Sequence, residues 1–356
     1  MKITQATETV DYRKIDKLSG SAIKLFDTNR SKFYREVVLK EKRRDKDTDS
    51  IKIGNVIDFI LSDCKGDLPE FEQRFDEKFA LLSGNKGSGQ MFLLADLLFE
   101  YTQRDNNDEN ICTTTFVDRF TEVFENLQKQ DKFKGKKLED AISLFVGSDA
   151  ETYFKEKLNN IGKTVIDEQM LNYCKKRAEL VVNDENIDLF RDNTENFGKT
   201  IIEWEFMGFE CKSELDNLRI NHGKKELIIT EIKSNWEIEE FQRVYLKLRY
   251  YLSAKFYELA VDYWRRHIVP EMRNYDIKFE FLAVDTSPNN LRPIVYTLSE
   301  TDLQKAWEGF YVNGYYYKGL KELLEEIKWC QENNQWNITK LAYENNSKLP
   351  LEVNYE

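Results

Sequence analysis

The run Leu227-Ile228-Ile229-Thr230-Glu231-Ile232-Lys233 most constrains what this chain can fold into. It is rich in β-branched residues and follows a polar turn, so it reads as a buried strand. Strand side chains alternate between faces, and Glu231 and Lys233 therefore leave on the same side. A carboxylate and an ammonium on an otherwise apolar strand are costly to bury unless each is paired.

The segment before it reads as a β-ribbon. Met207-Gly208 suits a two-residue hairpin turn. Folding there pairs Phe206 with Phe209, Trp204 with Cys211, Ile202 with Ser213 and Thr200 with Leu215. That face is mostly apolar. The other pairs Glu205 with Glu210, Glu203 with Lys212, Ile201 with Glu214 and Lys199 with Asp216. One face is core and one polar, as in a half-buried antiparallel pair. Asp216 falls on the polar side with Glu203 and Glu205. For Glu203 the plain alternative to an additional acid of the site is a solvated cross-strand pair with Lys212.

Carboxylates beside a lysine suit phosphodiester hydrolysis. Oxygen donors hold Mg²⁺ or Mn²⁺, the metal lowers the pKa of a bound water, and the ammonium steadies the nucleophile or the charge developing at phosphorus. Asp216, Glu231 and Lys233 are the candidate catalytic residues, with Asp216 and Glu231 as metal ligands.

Composition bounds the rest. Hydrophobic residues make up 41% and aromatics 13%, enough for a substantial core. The apolar runs are too short for a membrane span, and no apolar signal region opens the chain, so a cytoplasmic protein is expected. The five cysteines (Cys64, Cys112, Cys174, Cys211, Cys330) are odd in number and lack metal-ligand spacing, which reads as reduced thiols. A net charge of −11 argues mildly against nucleic acid, although residues 40–44, 132–137, 243–249 and 265–266 form basic clusters.

No linker rich in Gly, Pro or Ser divides the chain. It reads as one domain: 17–70 with motif helices, 71–165 as a helical insertion, 166–340 as core and closing helices, and 341–356 as tail. A helix starts at Ser19 or Ser21, residues 105–110 form a loop, and a long helix runs from about Glu237 to about Arg266. Strands are expected at Phe279 to Val284 and Pro293 to Leu298.

An Asp followed at a distance by Glu-x-Lys resembles the PD-(D/E)xK nucleases. The order of segments is similar to their exonuclease VIII (RecE-type) branch, related to the RecB and lambda exonuclease enzymes. The likeness rests on LSGSAIKLF, IGNVIDFIL, CKSELD, TEIKS, RYYLSAKFY, FEFLAVDTSP and LEEIKWCQENNQW. It spans roughly residues 17–340 and is weakest over 85–150. It implies an α/β fold: a restriction-endonuclease-like mixed sheet flanked by helices, with a helical insertion.

Three positions depart from that pattern. Asp58 replaces a metal-binding His, Ser253 replaces the Gln four residues before Tyr257, and Glu214 replaces an Arg. Asp is also an oxygen ligand for Mg²⁺, and its apolar neighbours make it costly unless paired or on a metal. The resemblance therefore implies a centre of Asp58, Asp216, Glu231 and the Ile232 carbonyl. It implies DNA contacts from Lys212, Arg243, Lys247, Arg249, Ser253 and Tyr257, although a solvated helix face is the plain reading for any one cation. Some relatives carry an iron–sulfur cluster, and the cysteine spacing here predicts none. The resemblance further implies 5′→3′ digestion of linear duplex DNA, a ring-shaped homo-oligomer, a single-strand annealing partner and phage-type recombination in a host cytoplasm. A DNA-end binding module with this fold and a structure-specific endonuclease remain open alternatives.

Overall fold

The computed structural model describes residues 4–5, 12–41, 48–83, 89–105, 115–190 and 194–349. Cys112, residues 42–44 of the first basic cluster, the 106–110 loop and the tail beyond 349 lie outside them. The fold is mixed α/β, with mostly helical content and a mixed sheet. The chain divides into two compact units, residues 1–47, 57–67 and 177–356 in one, and 48–56 and 68–176 in the other.

The smaller unit is helical apart from two short parallel strands, Phe79–Leu81 and Thr164–Ile166. Its core is aromatic and aliphatic, with Leu94, Leu98, Phe120, Phe124, Phe145 and Phe154 all buried. Two lysines are internal: Lys52 donates to the Val165 carbonyl at 2.7 Å and Lys157 to Asp96 at 2.9 Å.

The larger unit holds a seven-stranded sheet. Its strands are β1 (Thr4–Gln5), β2 (Leu18–Ser19), β3 (Glu195–Phe206), β4 (Phe209–Asn221), β5 (Glu226–Asn235), β6 (Asp276–Asp285) and β7 (Ile294–Leu298). The order is β1-β3-β4-β5-β6-β7, with β2 also paired to β4. The β5–β6 and β2–β4 pairs are parallel, and the others are antiparallel. The β3–β4 turn places Met207 and Gly208 at φ 51° and 86°, the left-handed values a two-residue hairpin turn requires.

Helices α1 (Gly20–Thr28), α2 (Phe241–Lys247), α3 (Tyr250–His267), α4 (Glu300–Glu308) and α5 (Leu320–Asn333) belong to this unit. The apolar face of the ribbon packs on α3, with the rings of Trp204 and Phe256 4.9 Å apart. Ser213 shares that face, and its hydroxyl accepts from the Trp204 indole at 3.1 Å, so its polar group is satisfied. Each large apolar side chain fully buried here contributes about 1.5–3 kcal/mol.

The long helix expected from 237 to 266 is broken. A short 3₁₀ turn, Ile238–Glu240, leads into α2, and Arg249 at φ 56° separates α2 from α3. The left-handed residue ends the hydrogen-bond ladder. It is held there by a 2.8 Å bond from its Nε to Asp27 and by the Tyr317 ring, 5.0 Å from its guanidinium. The Tyr-rich turn after α4 is a second hairpin, Gly309–Val312 with Tyr315–Lys318. Cys64, Cys174, Cys211 and Cys330 are buried, and among the described residues none is in a disulfide. Among the described residues no helix is long and apolar enough to cross a membrane.

Candidate functional site

The ribbon register matches the pairing derived above from Phe206/Phe209 to Thr200/Leu215, and there it breaks. Gly198 pairs with Leu218, so Asp216 and Asn217 together stand opposite Lys199, a bulge on β4. The expected Lys199–Asp216 cross-strand pair is therefore absent. The bulge re-aims Lys199, whose ammonium lies 2.7 Å from Asp58 Oδ2 and 2.7 Å from Asp63 Oδ2.

A split in the sheet makes the site. Strands β4 and β5 are paired from Asn221/Glu226 to Asn217/Thr230 and no further. Beyond that point β2 takes the edge of β4, Leu18 opposite Cys211 and Ser19 opposite Lys212. Asp216 stands in the fork. Its Oδ2 accepts from the Ile232 amide at 2.8 Å, replacing a ladder bond that the splayed strands cannot make. Helix α1 springs from β2, capped by the Ser19 hydroxyl accepting from the Ala22 amide.

Glu231 and Lys233 do share a face. Lys233 Nζ lies 2.7 Å from Glu231 Oε1, 3.0 Å from the Ile232 carbonyl and 3.6 Å from Asp216 Oδ2. One ammonium thus bridges both carboxylates, and Glu231 Oε2 is buried without a hydrogen bond. Burial drives the Asp216 carboxyl well above its usual range, and the Glu231 charge adds to this against the pull of Lys233. Burial would lower Lys233, but Glu231 and Asp216 outweigh it and raise the ammonium's pKa.

Asp58 ends a helix, Asp49–Asp58, that runs into a π-helical turn, Phe59–Asp63. The wider turn brings Asp58, Ser62 and Asp63 together, a device common where a helix serves a site. The Ser62 hydroxyl donates to Asp58 Oδ1 at 2.7 Å. Burial would raise the Asp58 carboxyl, but Lys199 and Ser62 hold it below its usual range. Asp58 also feels the Lys233 charge, and Asp216 feels that of Asp58, so the three acids share one electrostatic neighbourhood.

Hard oxygen donors, a carboxylate oxygen without a hydrogen bond and a surplus of negative charge fit a divalent cation in kind. Among the described residues, however, no three His, Cys, Asp or Glu side chains are gathered to hold an ion as they stand. Ammonium groups bridge the acids instead.

The remaining predicted residues divide. The charges of Glu231 and Asp216 reach the half-buried Tyr257, whose hydroxyl is raised first by burial and then by them. Ser253 is buried on the same helix. Arg243 and Lys247 are exposed on α2, with Arg243 3.7 Å from Glu240. Arg249 is committed to Asp27 and the Leu246 carbonyl. Lys212 is not a groove cation: it is buried, donates to the Tyr12 and Ile15 carbonyls at 2.7 Å each, and lies over the Tyr12 ring. Glu203 stands opposite Lys212 in register but meets Lys17 at 2.9 Å.

Sequence reasoning missed Lys24 and Lys199 as parts of this cluster. Lys24 lies inside a run already singled out, LSGSAIKLF, and Lys199 had been placed opposite Asp216. Their side chains reach the site only through the split and the bulge. No protein-family model matches the chain, and no curated protein matches it at a significant level.

The raised Asp216 carboxyl gives a prediction. A group whose pKa is raised by folding favours the fold below its unfolded value and loses that contribution as pH rises through the folded one. Without divalent cations, stability should fall across the Asp216 range. Asp216→Asn should melt higher at neutral pH, on the order of a few degrees, and lose most of the thermal shift produced by Mn²⁺. Calorimetry with and without Mn²⁺ checks both; a lower melting temperature for the variant would contradict the assignment.

Proposed function

We propose that this protein is a divalent-metal-dependent deoxyribonuclease of PD-(D/E)xK type, acting on the ends of linear duplex DNA. One observation carries the reading. At the split of β4 from β5, a single ammonium, Lys233, bridges Glu231 and Asp216, while Glu231 Oε2 receives no hydrogen bond. The resemblance of CKSELD and TEIKS to the nuclease motifs supports it. In this reading Asp216, Glu231, the Ile232 carbonyl and Asp58 would hold Mg²⁺ or Mn²⁺, and Lys233 beside them would offset charge at the phosphate. The bound metal supplies a water of lowered pKa and neutralises charge on the phosphate oxygens. Asp216 keeps the Ile232 backbone in place through its amide bond. Lys199 keeps Asp58 ionised and turned to the site. Digestion from 5′ ends, a ring-shaped oligomer and an annealing partner belong to this proposal through the resemblance alone.

A second reading, a DNA-end binding module, is favoured by one fact: the acids are paired with lysines rather than gathered as a three-donor set. End-labelled linear duplex tested beside a closed circle of the same sequence, with Mg²⁺ and with Mn²⁺, separates the readings. Loss of label from the linear DNA, an untouched circle and an inert Asp216→Ala variant are expected. Nicking of the circle would make it an endonuclease, and binding without cleavage would favour the module.

With Lys212 internal, Arg243 and Lys247 are the exposed cations among the expected DNA contacts. Arg243→Ala and Lys247→Ala should each reduce the slope of log affinity against log salt by about one. Unchanged slopes would remove α2 from the DNA surface.

A further inference from the structure

We infer that the Lys24 ammonium is a substrate contact, meeting a non-bridging oxygen of the phosphodiester that faces Glu231 and Lys233. The inference rests on the nuclease reading for its substrate class. Lys24 lies in the second turn of α1 and is half-buried. The other two ammonium groups of the cluster each hold carboxylates, Lys199 with Asp58 and Asp63, and Lys233 with Glu231. Lys24 has no carboxylate within ion-pair distance among the described residues. Its Nζ lies 5.4 Å from the Tyr250 ring, and Lys233 Nζ lies 5.6 Å from the same ring. Phe241 and Phe281 stack on Tyr250 and fix that ring.

Such a side chain is costly to keep. An ammonium taken partly out of water needs an anion, and a ring quadrupole offsets only part of the loss. Burial first, then the Lys233 charge, pulls Lys24 down to about 8, so Glu231 and Asp216 do not make up the deficit. Asp58, Asp63, Asp216 and Glu231 outnumber the three lysines, and Glu214 also acts on Lys199. In the nuclease reading a divalent cation would offset that surplus, and the phosphodiester would bring the anion that Lys24 lacks. A compact ammonium with three donors suits a tetrahedral anion approaching from any side.

The test uses the full chain and a linear duplex with phosphorothioate linkages at its ends, with Ca²⁺ in place of Mg²⁺, and reads affinity. Lys24→Met should weaken binding by about tenfold and lower the salt slope by about one. Lys24→Arg should retain most of the affinity. Because the lysine has no carboxylate to strand, Lys24→Met should melt no lower than wild type. Wild-type affinity in Lys24→Met, or a melting temperature several degrees lower, overturns the inference. If the wild type cleaves unmodified DNA and Lys24→Met binds normally, only the Lys24 assignment fails. If the wild type binds without cleaving, the nuclease reading fails and the affinities still judge Lys24. If the wild type does not bind at all, both fall.

Discussion

Lys233→Ala should lower turnover on linear duplex by on the order of a hundredfold or more, with DNA affinity nearly intact. The lysine's own electrostatics define its role. Burial would lower its pKa, but Glu231 and Asp216 outweigh burial and raise it, which favours the ammonium. It contributes positive charge, placed in advance where negative charge develops at phosphorus. Two readouts separate the charge from the side chain's packing. Lys233→Arg keeps the charge but changes the donor geometry, and should recover part of the lost rate. The pH profile of the wild type should show no limb from Lys233. Full activity in Lys233→Ala would remove the lysine from the mechanism. Equal losses in affinity and turnover would make it a binding group only.

How far this was legible from sequence depends on backbone regularity. The ribbon could be registered residue by residue from Phe206/Phe209 to Thr200/Leu215, because the turn residues and the alternation agree there. The shared face of Glu231 and Lys233 followed from the strand period. What escaped was each place where the backbone leaves its period. The bulge opposite Lys199 inserts a residue in β4 that no alternation pattern marks, and the Lys199 ammonium meets Asp58 and Asp63 rather than Asp216. The π-helical turn after Asp58 does the same on a helix. Arg249 breaks the long helix without a Gly or Pro, because Asp27 and Tyr317, distant in sequence, hold it. Lys212 looked like a groove cation because a side chain on a polar ribbon face is normally solvated. Here the 12–15 segment covers that face and supplies carbonyls to the ammonium. Lys24 reaches the cluster only because β2 takes over the edge that β5 leaves, which is a tertiary event.

The same bulge sets up the largest stability effect. Lys199→Met should destabilise the protein by about 3–5 kcal/mol at neutral pH, the usual cost of removing one partner from a buried ion pair. The ammonium is buried, only 8% exposed, and serves two carboxylates at once. Methionine fills much of the volume, so the loss is chiefly electrostatic. The pH dependence gives the sign. In the wild type the Asp58 carboxyl is held below its usual range. Its contribution is present above the unfolded value and is lost as pH falls through the folded one. In Lys199→Met that counter-charge is gone and burial dominates, so the carboxyl rises instead. The variant should then recover stability as pH falls, and the gap between the two proteins should narrow in acid. Adding Asp63→Asn to Lys199→Met should restore part of the loss at neutral pH, since one of the two stranded charges disappears. Urea unfolding of the three proteins from about pH 4.5 to about 7.5 measures all three effects. A neutral-pH loss under about 1 kcal/mol would mean that water, not Lys199, solvates Asp58 and Asp63. A gap that does not narrow in acid would mean that the lost stability comes from packing around the bulge, and Asp58 would then owe its ionised state to something other than the lysine beside it.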